Sequence, residues 1–512
     1  MDKVTRAASI ALVLVLAAAG CSGDDDDEAR TSDDTATTTE RADTGTTGDR
    51  TDAEPEFAEG PCPRPIPAAE GFRCGTVEVP VRRDDPSSPT IDLAVAVLPT
   101  PEPGLHDDPL VVVDKMRAAL VRYEGVAPLP ERVGRDVVIL DIRGTGRSTP
   151  AVHCDEVDYR MQIAEVDAAL RAPYLDALSE CRDRLEADGV DLTAYTVDAI
   201  ADDFIDVRRA LGYDTWNVLG FGQAEPDPGA TSTDIVFELM RRDGDAIRSV
   251  IMESPTPAQL DPWSSHVENL ARAIEALITA CEEQASCAAA HPDLRERVVE
   301  SFRAPRTEHA ATSSVGDPIT VALEPALSGM YNAIGIGSPE FLALMPALLT
   351  LPPEEVAAVI AANTGPLDPG DENNGILLSV ACPMTGSDTM PADRAAETEL
   401  GVVSWGLLPQ ADTCDRWNVA EPNPVLDEPV TSDIPTLILT GALDPYNNIA
   451  GSRLVASTLA NAFVYEIPSV SVNPLGANDG CAREIRNAFV DAPDREPDSS
   501  CLATVGPVPF SG

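Results

Sequence analysis

In this 512-residue chain the side chains best placed to do proton chemistry are one carboxylate and five imidazoles. Asp444 closes an apolar stretch, IPTLILTGALDPYNN, that reads as a buried strand delivering an acid at its carboxyl end. Such an aspartate is suited to orient a histidine that takes a proton from a nucleophile. All five histidines, His106, His153, His266, His291 and His309, precede Asp444, and none follows it. The cysteines are the other reactive group. Setting Cys21 aside leaves an even ten, a number suited to disulfides in an oxidising compartment. Spacing suggests local partners: Cys62 with Cys74, Cys154 with Cys181, Cys281 with Cys287, Cys382 with Cys414 and Cys481 with Cys501. No C-x-x-C or Cys/His cluster is present, so no metal site is expected.

The amino terminus addresses the chain to the outside. Lys3 and Arg6 precede an apolar run of roughly 14 residues, too short to span a bilayer. Ala18-Ala19-Gly20 then leads into Cys21 and resembles the lipobox of bacterial lipoproteins, with Ala18 where leucine is usual. Residues 1–21 are therefore expected to be a lipoprotein signal, with Cys21 lipidated and the protein held on the outer face of the bacterial cell membrane. Residues 22–59 are rich in Asp, Thr and Gly, with almost no large apolar side chain, and read as a disordered acidic tether. The formal charge is −50, and about a fifth of it belongs to this tether, so the folded part is acidic too. Such a field repels nucleic acid. Salt adaptation or codon bias is an alternative source of the acidity that needs no acidic-face function.

From Cys62 onward strands and helices alternate. CGTVEVPV, IDLAVAVLP, PLVVVD, RDVVILDI, TWNVLGFG and SVIMESP read as strands. TVDAIADDFIDVRRALGY, ending at Gly212, and TDIVFELMRRDG read as helices. The pattern predicts an α/β fold, a mostly parallel sheet covered by helices on both faces. After Thr256 the strand pattern stops, and HVENLARAIEALITACEE, SPEFLALMPALLTL and PEEVAAVIAANT read as helices. Strands resume at Ile434 and FVYEIP. Residues 60–255 and 431–512 are thus expected to form one core, with residues 256–430 as an inserted helical cap over the strand ends.

Several segments in order resemble the secreted tripeptidyl-aminopeptidase-like branch of the α/β-hydrolase serine peptidases: CGTVEVPVRRDDP, DIRGTGRSTPAVHC, DDFIDVRRALGYDTWNVLGFG, LILTGALDP and CAREIRNAFVDAPDREPDSSC. The resemblance implies an α/β-hydrolase fold and, in an active member, removal of short peptides from amino termini through an acyl-enzyme. It also implies where the reactive groups belong. The nucleophile elbow, G-x-S-x-G in active members, reads Gly220-Phe221-Gly222-Gln223-Ala224, so Gly222 holds the nucleophile position without a side chain. The oxyanion loop, glycine-rich in active members, reads Asp114-Lys115-Met116-Arg117-Ala118. The base position falls on Val472 or Asn473 in Ser471-Val472-Asn473-Pro474, and neither accepts a proton near neutral pH. Asp444 is left as a vestigial acid, and the Asp-Pro step also suits it to shaping a turn.

Two rescues are conceivable from sequence. Ser232 could act as a shifted nucleophile, although Thr231, Ser232 and Thr233 stand where hydroxyls cap a helix. His266 or His309 from the cap could supply a base. Arg143 and Ser148 are expected to shape the turn beneath the pocket, and Trp263 and Trp417 either line the cap or pack within it. No cofactor motif is present. The sequence therefore points to a catalytically inactive surface lipoprotein whose cleft binds a peptide or a protein partner. An active aminopeptidase with substitute groups and a structural envelope protein with an idle cleft stay open as alternatives.

Overall fold

The computed structural model describes residues 54–510 apart from 64–65, 67–70, 102–103, 105, 115–118, 121–128, 130–132, 159–167, 222–231, 261, 304–306, 324–341, 363–373, 386–410, 418–422, 473 and 476–479. Nine strands make one sheet in the order β1-β2-β3-β5-β4-β6-β7-β10-β11. They are β1 (Phe57–Gly60), β2 (Arg73–Pro80), β3 (Thr90–Leu98), β4 (Leu110–Val113), β5 (Val137–Leu140), β6 (Trp216–Gly220), β7 (Ile247–Glu253), β10 (Thr436–Gly441) and β11 (Ala462–Ile467). The first three are antiparallel, and β5, β4, β6, β7, β10 and β11 run parallel.

Period-two alternation splits each central strand between two cores. Val111 and Val113 of β4 enter one core while Leu110 and Val112 enter the other. All four residues of β4 and of β5 are buried, as strands covered on both faces must be. Helices α1 (Ala168–Ala187), α2 (Val197–Ala210) and α3 (Ser232–Arg242) follow in the first half of the chain. Phe204 of α2 and Ile235 of α3 pack with Trp216 and Val250 on one face. Thr196 caps α2 by accepting from the Ala199 amide, and the helix stops two residues before Gly212.

Between β7 and β10 lie α4 (Pro262–Glu283), α5 (Ala285–Ala290), α6 (Leu294–Arg303), α7 (Met345–Leu348), α8 (Pro353–Ala362), α9 (Asn374–Thr385) and α10 (Ala411–Trp417). The expected all-helical insert needs correction. Strands β8 (Thr307–Thr312) and β9 (Pro318–Leu323) pair antiparallel within it as a separate two-stranded sheet. These strands are short and partly polar, which hid their alternation. After β10 come α11 (Ile449–Ala456) and α12 (Gly480–Asp491), and Ile485 and Phe489 of α12 complete the second core.

The tether boundary also moves. Phe57–Gly60 is not free chain but pairs with Cys74–Val77, because Gly75 leaves room for it: a Cβ there would sit 2.2 Å from the Ala58 carbonyl oxygen. The Arg73 guanidinium lies over the Phe57 ring and binds Glu59 at 2.8 Å. All five expected disulfides are present, Cys62–Cys74, Cys154–Cys181, Cys281–Cys287, Cys382–Cys414 and Cys481–Cys501. Cys21 and the expected lipoprotein signal over residues 1–21 lie outside the described residues.

Candidate active site

The parallel strands end together, and their last residues define the site. At the centre, Gly220 of β6 pairs with Val113 on one side and Met252 on the other. The Phe221 amide donates to the Val113 carbonyl at 3.2 Å. Gly222, the next residue, lies outside the described residues, as do Lys115, Met116 and Arg117 of the expected oxyanion loop. Asp114 follows β4 directly and is half-buried. Ser232 opens α3 and is buried, and its hydroxyl donates to the Phe221 carbonyl. It therefore ties the start of α3 to the end of β6; Thr231, where a cap of this helix would stand, lies outside the described residues.

Asp444 stands on the turn after β10. Gly441, the last residue of that strand, permits a backbone-to-backbone approach, since a Cβ there would fall 1.8 Å from the Ser471 carbonyl oxygen. The Leu443 amide donates to Val470 at 2.9 Å and the Ala442 amide to Ile467 at 3.0 Å. The acid turn and the loop holding Val472 are thereby joined, and Val472 is fully buried beside it. Asn473 is outside the described residues. Asp444 Oδ1 accepts from the amides of Tyr446 at 2.7 Å and Asn447 at 3.0 Å, so the carboxylate closes its own turn.

Asp444 is wholly buried, and burial pushes its carboxyl up from 3.8 to about 6 against the opposing pull of Ser254, the two amides and Arg272. The Ser254 hydroxyl is near enough to favour the ionised form. Neither Ser254 Oγ nor Asp444 Oδ2 completes a hydrogen bond of normal geometry. Ser254 itself holds a left-handed backbone, φ 45°, where its amide reaches the Leu439 carbonyl at 2.8 Å.

Three further groups at the strand ends escape a reading of the sequence. Glu253, the last residue of β7, is buried and accepts the Leu475 amide at 2.6 Å, fastening the loop past Val472 to the sheet. An acid closing the apolar run SVIME is the same signal that marks Asp444, and it could have been noticed. Asp141 follows β5 and accepts the amides of Leu120 and Arg147, both at 2.8 Å. Burial raises its carboxyl to about 6. Arg272 of α4 donates to the carbonyls of Ala442, Asp444 and Asn447, and burial lowers the pKa of its guanidinium.

The remaining candidates lie elsewhere. His309 Nε2 is 2.7 Å from Thr307 Oγ1 on β8, His153 Nε2 is 2.9 Å from Asp155, and His106 Nδ1 is 3.2 Å from Arg135. The side chains of His266 and Trp263 are outside the described residues. Trp417 is fully buried and donates to Ser379 Oγ at 2.9 Å. Arg143 holds Asp203 with two bonds of 2.7 and 2.6 Å and reaches the Ala194 carbonyl at 2.7 Å. Ser148 accepts the Ala94 amide at 3.0 Å and donates to the Asp141 carbonyl at 2.5 Å. Both residues act on the backbone beneath the strand ends. Among the described residues, Cys154, Glu156 and Cys181 have the spacing of metal ligands, but both sulfurs are consumed in a disulfide.

Comparison with known proteins bears on the fold. Residues 118–224 match the family described as alpha/beta hydrolase fold, and residues 402–501 match the family described as TAP-like protein. The chain thus has the α/β-hydrolase fold, and residues 402–501 are similar to TAP-like proteins. Among curated proteins none matches it. Similar solved structures include a proline iminopeptidase from Mycobacterium smegmatis, at 16% identity and a TM-score of 0.39, covering 82% of this chain and 99% of that one. An α/β-hydrolase-fold protein from Chitinophaga pinensis follows at 13% and 0.35, covering 81% and 97%.

Proposed function

We propose that this chain is a non-catalytic α/β-hydrolase-fold lipoprotein of the cell surface, related to tripeptidyl aminopeptidases, that binds a peptide or protein partner at its strand-end cleft. The observation that carries the reading is the buried Val472, on the loop hydrogen-bonded to the acid turn where a base would have to face Asp444. Gly222 at the elbow and the non-glycine residues Asp114, Lys115, Met116 and Arg117 after β4 support it from the sequence. A triad-less serine peptidase keeps roughly 10³ to 10⁴-fold acceleration only through its oxyanion hole and substrate binding. The loop that is glycine-rich in active members, and would present part of that hole, reads Asp114-Lys115-Met116-Arg117-Ala118 here.

The test is reaction of the purified full-length protein with a fluorophosphonate probe, which phosphonylates an activated serine with loss of fluoride. No labelling is expected. Labelling abolished by Ser232→Ala would overturn the proposal and make Ser232 a nucleophile. Binding is read separately, by thermal shift with short peptides, since a ligand preferring the native state at about 100 times its Kd adds about 2.7 kcal/mol.

A further inference from the structure

The nine-stranded sheet ends in β11, and the outer side of that strand is bare backbone. Among the described residues β11 pairs only with β10, in parallel over Thr436–Gly441 and Ala462–Ile467. The Thr436 amide donates to the Asn461 carbonyl and the Ala442 amide to the Ile467 carbonyl, both at 3.0 Å. Residues 461, 463, 465 and 467 therefore turn their N–H and C=O groups toward β10, and the intervening Ala462, Val464 and Glu466 turn theirs outward. Among the described residues nothing bonds to the amide or carbonyl groups of these three. The carboxyl-terminal tail meets β11 through a side chain instead, with the Tyr465 hydroxyl donating to the Pro497 carbonyl at 3.3 Å.

This edge lacks the devices that ordinarily keep a free strand from pairing. Its sequence, AFVYEI, contains no proline, lysine or glycine, and its register with β10 runs without a bulge. The strand is also firmly set. The Phe463 ring meets that of Phe489 in α12 edge-on, with 6.2 Å between centroids, and Ala462 and Val464 pack against the core on the other face. Ala462 to Tyr465 are half-buried and Glu466 is exposed. A rigid strand with free donors and acceptors adds an extended chain without having to order itself. Charge decides which chain. The protein carries −50, and Glu466 stands on the face that Ala462 and Val464 share. A second copy would bring the same charge against itself, whereas a cationic segment is drawn in.

We propose that β11 is a docking edge for an extended basic segment of a partner protein. The segment joins the sheet as a further strand by bonding to the outward groups of Ala462, Val464 and Glu466, with a basic side chain opposite Glu466. The site runs along the side of the sheet and not across its strand ends, so it does not depend on what the cleft binds.

The probe is a fluorescein-labelled Lys-Val-Lys-Val-Lys-Val-Lys amide, followed by anisotropy with the full-length protein at low salt. The wild type should bind it, and Val464→Pro should bind it more weakly by about tenfold or more. That substitution deletes one outward amide and leaves the bonds of residues 461, 463, 465 and 467 to β10, so the thermal midpoint should stay near that of the wild type. The same peptide N-methylated at every backbone amide keeps its charge but cannot pair, and it too should lose about tenfold or more. No binding by the wild type overturns the proposal. Equal binding by Val464→Pro, or by the methylated peptide, also overturns it, because the attraction would then be charge alone. If Val464→Pro does not fold, the methylated peptide on the wild type decides. A dimer of the protein alone in sedimentation velocity, abolished by Val464→Pro, would give the edge to a second copy and likewise overturn it.

Discussion

Replacing Asp444 by asparagine should stabilise this protein at neutral pH. The carboxyl is wholly buried, one oxygen has no hydrogen-bond partner, and its pKa rises from 3.8 to about 6. A carboxyl whose folded pKa exceeds its unfolded one favours the native state when protonated. Its penalty is therefore absent below 3.8, grows as pH rises, and is complete above about 6. Two pKa units correspond to about 3 kcal/mol. Asn keeps a carbonyl oxygen for the amides of Tyr446 and Asn447, and its new amide group can donate to Ser254 Oγ, which already faces the carboxyl. After the cost of burying that amide, a net gain on the order of 2 kcal/mol is expected for Asp444→Asn at about pH 8. Urea unfolding followed by tryptophan fluorescence measures it, and the difference should shrink toward zero at about pH 4, where the wild-type carboxyl is protonated in the folded state. A variant destabilised at the higher pH, or a difference that does not change with pH, would show that the partners of ionised Asp444 outweigh its burial and refute the reasoning.

Two other substitutions probe the frame around the site. Arg143→Met strips the fully buried Asp203 of its two-bond partner and leaves it Arg83 at 2.7 Å, so a loss of about 3 kcal/mol is expected in urea unfolding. Adding Asp203→Leu should recover most of that loss, and a further decrease would contradict the account. Gly75→Val drives a side chain into the Ala58 carbonyl, so β1 should detach at a cost of about 1–3 kcal/mol. Limited proteolysis should then cut within residues 54–61 while the disulfide-bonded remainder stays whole, and unchanged resistance there would argue against β1 as a docked strand.

Legibility from sequence followed how far each signal depended on tertiary partners. The runs LVVV and VVIL announce β4 and β5 because a strand buried on both faces needs no partner to be recognised. FAEG does not announce β1. It closes an acid-rich segment and becomes a strand only because Gly75, fifteen residues later than Gly60, opens space beside it. Helix α1 has Pro173 in its first turns and little amphipathic contrast, so it was not foreseen. Within the site, Asp444 stood out as an acid ending an apolar run, whereas Arg272 gave no sign because its partners are backbone carbonyls, which every residue carries.

That difference bears on how, on the proposed reading, an enzyme scaffold would outlive its chemistry. The acid turn is held by amides of Ala442 and Leu443, by its own carboxylate, and by carbonyls given to Arg272. The loop through Val472 is held at Leu475 by Glu253. None of these bonds uses the side chain of Val472. On the proposed reading, substituting residue 472 therefore removes a reacting atom without breaking any of these bonds, and selection for the fold would be blind to the loss. The same independence predicts that Val472→His would fold, because the loop is held by Leu475 and Val470 and not by the side chain between them. Its thermal midpoint should fall by a few degrees from the buried imidazole. Complete loss of folding would show instead that the valine itself packs the site, and that the surroundings of the acid turn have been rebuilt around it.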